Sequence, residues 1–393
     1  MSDPSLSLDD IRLQLNELDD NLLKLLSKRR ELSLEVAKSK VKTSKPVRDA
    51  LREQQLLVKL IHNGKDNYQL DAPYITKVFH TIIEDSVLLQ QAYLQNLTNP
   101  ELSRKPVSRV AFLGSQGSYS HLASREYFSR KAIELAEISC QEFKDVTKTV
   151  ESGHADYGVL PIENTSSGSI NEVYDLLQRT TLYIVGELSL PIEHCLLATK
   201  ELPLEQIKTL YSHPQPHQQC SEFLNRLKDI ELKSCTSTAD AMKMVRELDR
   251  EDVAAIGNAS SGKLYGLQPI KGNIANQTEN HTRFIVVARK PVDVSLQIPA
   301  KTTFIMSTAH QAGSLVEVLL VLQRFGINMT KLESRPIMGN PWEEMFYLDI
   351  EANLASDTMK QVIEELTKLT RHLKVLGCYP SDNIKPTAIS ETQ

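Results

Sequence analysis

Pro161-Ile162-Glu163-Asn164-Thr165-Ser166-Ser167-Gly168 follows the apolar run Tyr157-Gly158-Val159-Leu160 and leads into the helix-like stretch Ile170 to Leu177. A strand is therefore expected to empty into a loop of hydroxyls, an amide and a glycine that opens a helix. Free backbone N–H groups and the helix dipole at such a point both attract negative charge. The expected guest is a small carboxylate or phosphate. One serine before a helix would be an ordinary N-cap, whereas several polar groups in a row ask for more.

Outward from this string, short apolar runs alternate with helical ones. Arg109 to Leu113, Leu182 to Val185, Cys195 to Ala198, Val253 to Ile256 and Phe284 to Ala288 read as further strands of an α/β region. Two polar, proline-bearing stretches, Asn96 to Ser108 and Lys290 to Lys301, bound that region. Before them the chain is helical: Leu8, Ile11, Leu15, Leu18, Leu22, Leu25, Leu32 and Val36 recur at three- and four-residue steps. Further helices are expected over Arg48 to Asn63 and Ala72 to Leu94, with Gly64 and Pro73 marking the turn. After them comes strand (Thr302 to Met306), helix (Gly313 to Arg324), strands (Ile327 to Glu333, Glu344 to Ile350), helix (Thr358 to Leu373) and a short strand near Gly377. That order is ferredoxin-like. Three domains are expected, over 1–96, 107–289 and 301–380.

A chain of 393 residues can bury several cores. A net charge of -5 offers no basic footprint for nucleic acid, and no apolar stretch approaches the roughly 20 residues that span a bilayer. Met1 to Asp10 lacks a charged-then-apolar leader pattern, so a cytoplasmic location and small-molecule partners are expected. Five scattered cysteines without a CxxC pair, and ten histidines without metal-ligand spacing, suggest chemistry without metal or disulfide.

The Pro161–Gly168 string resembles the prephenate dehydratase signature. So do Gly114-Ser115-Gln116-Gly117-Ser118-Tyr119-Ser120-His121, Tyr211-Ser212-His213-Pro214-Gln215-Pro216 and Thr282-Arg283-Phe284. The resemblance extends over nearly the whole chain to bifunctional proteins in which chorismate mutase is fused to prephenate dehydratase and a regulatory tail. It implies a two-lobed domain of the periplasmic-binding-protein kind and no cofactor. Thr282 is the family's essential hydroxyl, and Asn164, Thr165, Ser166, Ser212, Gln219 and Arg283 are candidates for substrate carboxylates and hydroxyl. Glu163 and His213 are titratable alternatives for proton donation. Gly114 and Gly117 do not complete a dinucleotide fingerprint, because the third glycine is missing. This argues against a dehydrogenase as the fusion partner.

In the helical region Arg29 and Lys40 lie eleven residues apart, three helical turns, and share a face. Asp49, Arg52 and Glu53 share another, as do Ser86 and Gln90. In order with Arg12, these residues fall on the substrate-contact positions of the helical chorismate mutase family. The resemblance implies arginines that hold carboxylates, Lys40 and Gln90 at an ether oxygen, Glu53 and Ser86 at the ring hydroxyl and a carboxylate, and Asp49 orienting Arg52 or the substrate. Arg12 lies seventeen residues before Arg29, roughly 260° around a straight helix, and should not reach the same pocket. A helix of some forty residues would extend ~60 Å, too long to pack on itself. Both points suggest an intertwined dimer, in which the family's partner subunit supplies this arginine.

Gly313-Ser314-Leu315-Val316 and Glu333-Ser334-Arg335-Pro336 resemble the amino-acid-binding motifs of ACT domains, with Ser314 where alanine is usual. The implied effector is phenylalanine, its carboxylate at the start of the Gly313 helix and its amine at Glu333. Trp342, the single tryptophan, would report binding, and a chain ending near Lys290 is expected to keep both activities and lose inhibition. The expected enzyme, an isomerase and a lyase in one homodimer or higher oligomer, converts chorismate to prephenate and then phenylpyruvate. A solute-binding sensor would explain the cleft and the tail but not the helical cations. Arogenate as the second substrate stays open.

Overall fold

Capping side chains set the limits of the helices in the first region. A computed structural model describes residues 7–101, 107–129, 133–227, 229–277, 279–309, 311–337, 339–340 and 343–382; Trp342 lies outside them. Ser7 and Asp10 form a capping box at the start of α1 (Leu8–Thr43), the Ser7 hydroxyl accepting from the Asp10 N–H at 3.2 Å. Asp49 caps α2 (Ala50–Tyr68), and Asp71 caps α3 (Ala72–Thr98) with Pro73 in the first turn. Gly64 does not end α2, as the sequence suggested. It is buried, and a Cβ there would lie 2.2 Å from Ile75 Cδ1, so glycine serves close approach of α2 to α3. The break comes at Gln69, in the left-handed region at φ 54. Leu8, Leu13, Leu15, Leu18, Leu22, Leu23 and Leu25 of α1 remain more than half exposed.

Among the described residues these helices and residues 295–298 form one compact unit, and the rest of the chain forms a second. The second contains three sheets. In the first, the strand order is Glu134–Cys140, Val107–Leu113, Tyr157–Asn164, His281–Ala288, Tyr183–Pro191, with Gly168–Ser169 turned back on Tyr157–Asn164. In the second it is Gln268–Lys271, Cys195–Ala198, Val253–Gly257, Thr209–Ser212, Glu231–Ser234. These are the sheets of a two-lobed α/β fold. The third, Met329–Pro336, Glu344–Ile350, Ala300–Thr308 and Thr370–Pro380, is antiparallel with helices Ser314–Arg324 and Asp357–Leu369, and has ferredoxin-like topology. Its last strand takes over at Thr370, where the sequence suggested continuing helix.

The ferredoxin-like sheet is no loose appendage to the first lobe. Ile305, Tyr347, Leu376 and Tyr379 share one buried core with Leu160, Ile162, Tyr174, Ile184 and Ile285. Gly377 sits so close that a Cβ would fall 2.0 Å from the Ile184 carbonyl oxygen. This reverses the expectation for a chain cut in the Lys290–Lys301 stretch. Losing four large core residues, at about 2–5 kcal/mol each, is of the same size as the whole ~5–15 kcal/mol that holds a domain folded. Ending the chain after Ile298 should abolish dehydratase activity and its cooperative melt while mutase activity persists. Assays of both reactions beside a thermal melt check it. No described helix is long and apolar enough to cross a membrane.

Candidate active sites

Helical spacing gathers the first site. Arg29, Lys40, Asp49, Arg52, Glu53, Ser86 and Gln90 line one pocket of about 310 Å³, floored by Leu32, Val36, Val47, Leu56, Ile83 and Val87. Arg29 Nη1 donates to the Ser86 hydroxyl and, at 3.1 Å, to the Ile82 carbonyl. Lys40 Nζ donates to the Val47 carbonyl and to Gln90 Oε1 at 3.1 Å, and Gln90 Nε2 donates to Ser33 Oγ at 3.2 Å. Ser33 was missed, although it stands four residues after Arg29 and seven before Lys40, on their face. Asp49 is the helix cap, accepting from Arg52 N–H at 3.0 Å, and Glu53 pairs with Arg48 at 3.2 Å. Burial depresses the pKa of both Arg29 and Lys40, against the opposing pull of Asp85 on the first and of Asp49 and Glu53 on the second. Arg12 does not line the pocket; it pairs with Asp9 on the surface at 3.4 Å.

The second site is a cleft of about 470 Å³ between the lobes. The string that opened the sequence analysis builds it differently from expectation. The strand runs on to Asn164, a tight turn follows with Gly168 at φ 79, and the next helix begins only at Asn171. Asn164 Oδ1 accepts from the Ser166 and Ser167 N–H groups at 2.9 and 3.0 Å and from the Ser167 hydroxyl at 2.8 Å. Those N–H groups are spent inside the protein and do not form an anion nest. Thr165 is tied to the His281 backbone through its N–H and its Oγ1, both at 2.9 Å, while Ser166 donates to Gln277 and Ser212 to the His213 carbonyl. Thr165, Ser166 and Ser212 therefore leave the cleft lining, which keeps Asn164, His213, Gln219 and Thr282.

Asn164 Nδ2 donates to Thr282 Oγ1 at 2.9 Å and to Asn280 Oδ1 at 2.8 Å. The Thr282 oxygen is thus already an acceptor, and its hydroxyl lines the cleft. Strand alternation sends the neighbours the other way. Glu163 pairs with Lys331 at 2.9 Å, and Arg283 enters a buried ionic cluster, so neither lines the cleft. Sequence reading missed Tyr119 and His194. His194 is buried and its pKa is lowered by that burial; the neutral ring donates from Nε2 to Gln219 Oε1 at 2.7 Å, with Tyr119 3.2 Å from Nδ1. The Gly114–His121 loop turns at Gly114 and Gly117, both at positive φ, and His121 Nδ1 accepts the Gly117 N–H at 3.0 Å. Burial lowers the His213 pKa as well, which makes its protonated form scarce at neutral pH. None of the described lining residues is a lysine or arginine.

A third pocket, about 450 Å³, lies at the start of the helix Ser314–Arg324. Gly313 (φ 89), Ser314, Leu315 and Val316 line it with Glu343, Glu344 and Phe346. Glu333, Ser334, Arg335 and Pro336 do not. Glu333 accepts the Ser169 hydroxyl at 2.6 Å and pairs with Lys331, and Arg335 grips Asp175 bidentately at 2.9 and 2.8 Å. No group of three or more described His, Cys, Asp or Glu side chains is placed to hold a metal.

Distinct pockets on an all-helical unit and a two-lobed α/β unit define a multifunctional enzyme. Residues 11–91 match the chorismate mutase type II family and residues 110–292 the prephenate dehydratase family. A bifunctional chorismate mutase/prephenate dehydratase from Enterobacter agglomerans is 55% identical over 377 residues, 96% of each chain. One from Escherichia coli (strain K12) is 54% identical over 379 residues, 96% of this chain and 97% of that one. The structure of prephenate dehydratase from Arthrobacter aurescens in complex with L-Phe covers 71% of this chain and 91% of its own, at 25% identity and a TM-score of 0.64. The chain belongs to the bifunctional chorismate mutase/prephenate dehydratases.

Proposed function

We infer that the helical pocket rearranges chorismate to prephenate and that the two-lobed cleft converts prephenate to phenylpyruvate, two steps toward phenylalanine. The observation that carries this reading is the convergence of seven residues, spread from Arg29 to Gln90, on one pocket. Chorismate rearranges within one molecule, breaking a C–O bond and forming a C–C bond with no net proton transfer. Such a reaction needs a frozen reactive conformer and charge stabilisation at the breaking bond. Arg29 and Arg52 suit the two carboxylates, and Lys40 and Gln90 suit the ether oxygen. The exposed leucines of α1 support a homodimer in which Arg12 of a second copy completes the pocket.

Lys40 acts only while charged. With its pKa below the ordinary lysine value, its charge is lost as pH rises through that depressed pKa, so mutase kcat should fall before pH reaches ~10.4. Gln90 does not titrate and adds no acid limb. A pH–rate profile of wild type against Lys40→Arg, which stays charged, separates this loss from unfolding.

In the cleft, prephenate loses a carboxylate as CO₂ and its ring hydroxyl, the electrons of the broken C–C bond complete the aromatic ring, and the departing hydroxyl takes up one proton from solvent to become water. Thr282 donates its free proton as a hydrogen bond to the departing oxygen. Neutral donors of the lining meet the carboxylates. The lining offers no lysine or arginine to hold the leaving carboxylate as an ion and includes the acidic Asp240, which favours its departure as CO₂. Phenylalanine is the effector of the third pocket: its carboxylate meets the N–H groups at the helix start, its amine Glu343 or Glu344, and its ring Leu315 and Phe346. Incubating the purified protein with chorismate and following prephenate and phenylpyruvate tests the whole reading. Turnover of neither substrate overturns it, and faster turnover of arogenate than of prephenate would reassign the second step.

A further inference from the structure

Arg283 follows Thr282 on one strand, yet it points away from the cleft into a cluster that the sequence did not foretell. Its Nε donates to Glu187 Oε2 at 2.7 Å, its Nη1 to Asp349 Oδ2 at 2.5 Å and its Nη2 to the Tyr379 hydroxyl at 3.1 Å. Lys301 completes the set, donating to Glu187 at 2.9 Å, and Thr303 holds Asp349 Oδ1 at 2.6 Å. Glu187 belongs to the first lobe; Asp349, Tyr379, Lys301 and Thr303 belong to the ferredoxin-like sheet. The side chains of Arg283, Glu187, Asp349 and Lys301 are all at most 14% exposed.

Buried ion pairs of this kind add little stability over well-packed apolar residues, because desolvation cancels much of their attraction. Their use lies in fixing a geometry, and the geometry here is irregular. The pairing of His281–Ala288 with Tyr157–Asn164 shifts between Arg283 and Phe284, where Phe284 faces Pro161 and one residue of the partner strand is left over. Pro161 has no N–H to give. The pairing with Tyr183–Pro191 stays regular through Thr282 and Arg283, so the strand is loosened on one side only, and the Arg283 side chain adds a further hold at that point.

We propose that Arg283 is a positioning residue, through which Asp349 and Tyr379 of the ferredoxin-like sheet set the strand that aims the Thr282 hydroxyl in the dehydratase reaction. The proposal rests on the catalytic reading of Thr282 and makes the third sheet a working part of the dehydratase site. It predicts that loosening the far end of the cluster alters turnover more than substrate binding.

The test uses the full chain with Asp349→Asn, Tyr379→Phe, Thr282→Ala and the double variant Asp349→Asn/Thr282→Ala. Asp349→Asn is expected to lower dehydratase kcat about tenfold with KM near wild type, and Tyr379→Phe to lower it about threefold, with mutase kcat unchanged in both. In the Thr282→Ala background, Asp349→Asn should have no further effect on the residual rate, since it acts only through the missing hydroxyl. Equal factors in both backgrounds, a rise in KM without a fall in kcat, or no change at all would overturn the proposal. If Asp349→Asn melts below the assay temperature, Tyr379→Phe, which removes a single hydroxyl, decides by the same cycle with the double variant Tyr379→Phe/Thr282→Ala. A normal rate for Thr282→Ala alone would instead sink the catalytic reading of Thr282.

Discussion

Replacing Thr282 with alanine should lower dehydratase kcat by about 10²- to 10³-fold, the loss typical of removing one donor aimed at a developing charge. KM for prephenate should stay close to wild type, because the hydroxyl is spent on the departing oxygen and less on the ground state. The hydrogen bonds of Asn164 explain why: its Nδ2 already occupies the Thr282 oxygen, so the proton is the part left for substrate. Serine at the same position should restore most of the rate, since it keeps a hydroxyl within reach of Asn164. Steady-state kinetics on prephenate, with the mutase rate as internal control, would expose an error if Thr282→Ala turned over normally.

The other large effect is expected at Arg29. Arg29→Ala removes a half-buried guanidinium that holds Ser86 and the Ile82 carbonyl and faces the pocket. Mutase kcat/KM should drop by roughly 10³-fold or more, as for loss of a charge clamp on a reacting anion. Dehydratase kinetics should be unchanged, because the two pockets lie in separate units and distant sites behave additively. A parallel fall in both activities of a folded variant would show that the sites are not independent.

Legibility differed between the two halves for a physical reason. In the helical unit the period of the helix places Arg29, Ser33 and Lys40 on one face, and the resemblance to the chorismate mutases joined that face to those of Asp49 to Glu53 and Ser86 to Gln90. The α/β unit assembles its cleft from loops far apart in the chain, where spacing says little. Most central strands were readable from their apolar runs, but the short interior strand Thr209–Ser212 was not, nor were the polar edge strands Glu134–Cys140, Glu231–Ser234 and Gln268–Lys271. His194 and Tyr119 escaped notice because their partners, Gln219 and the Glu193 carbonyl, are distant from at least one of them in sequence. Arg283 was placed at the substrate by resemblance, whereas strand alternation, available from the sequence itself, puts it opposite Thr282. Gly64 looked like a stop signal, since a glycine that ends a helix and one that lets two helices touch are written alike.

The order of strands in the first sheet bears on how this chain is made. His281–Ala288, which carries Thr282, lies between Tyr157–Asn164 and Tyr183–Pro191, and the whole second lobe is inserted before it. A ribosome therefore delivers both flanking strands about a hundred residues before the strand that joins them. Until then two inner edges stand open, rich in Val, Ile and Leu and ready to pair with any other extended chain. The nascent protein passes through its most aggregation-prone stage with the three N-terminal helices made and the lyase half unfinished. Slow synthesis between residues 191 and 288 would lengthen that exposure, and chaperone demand should peak there.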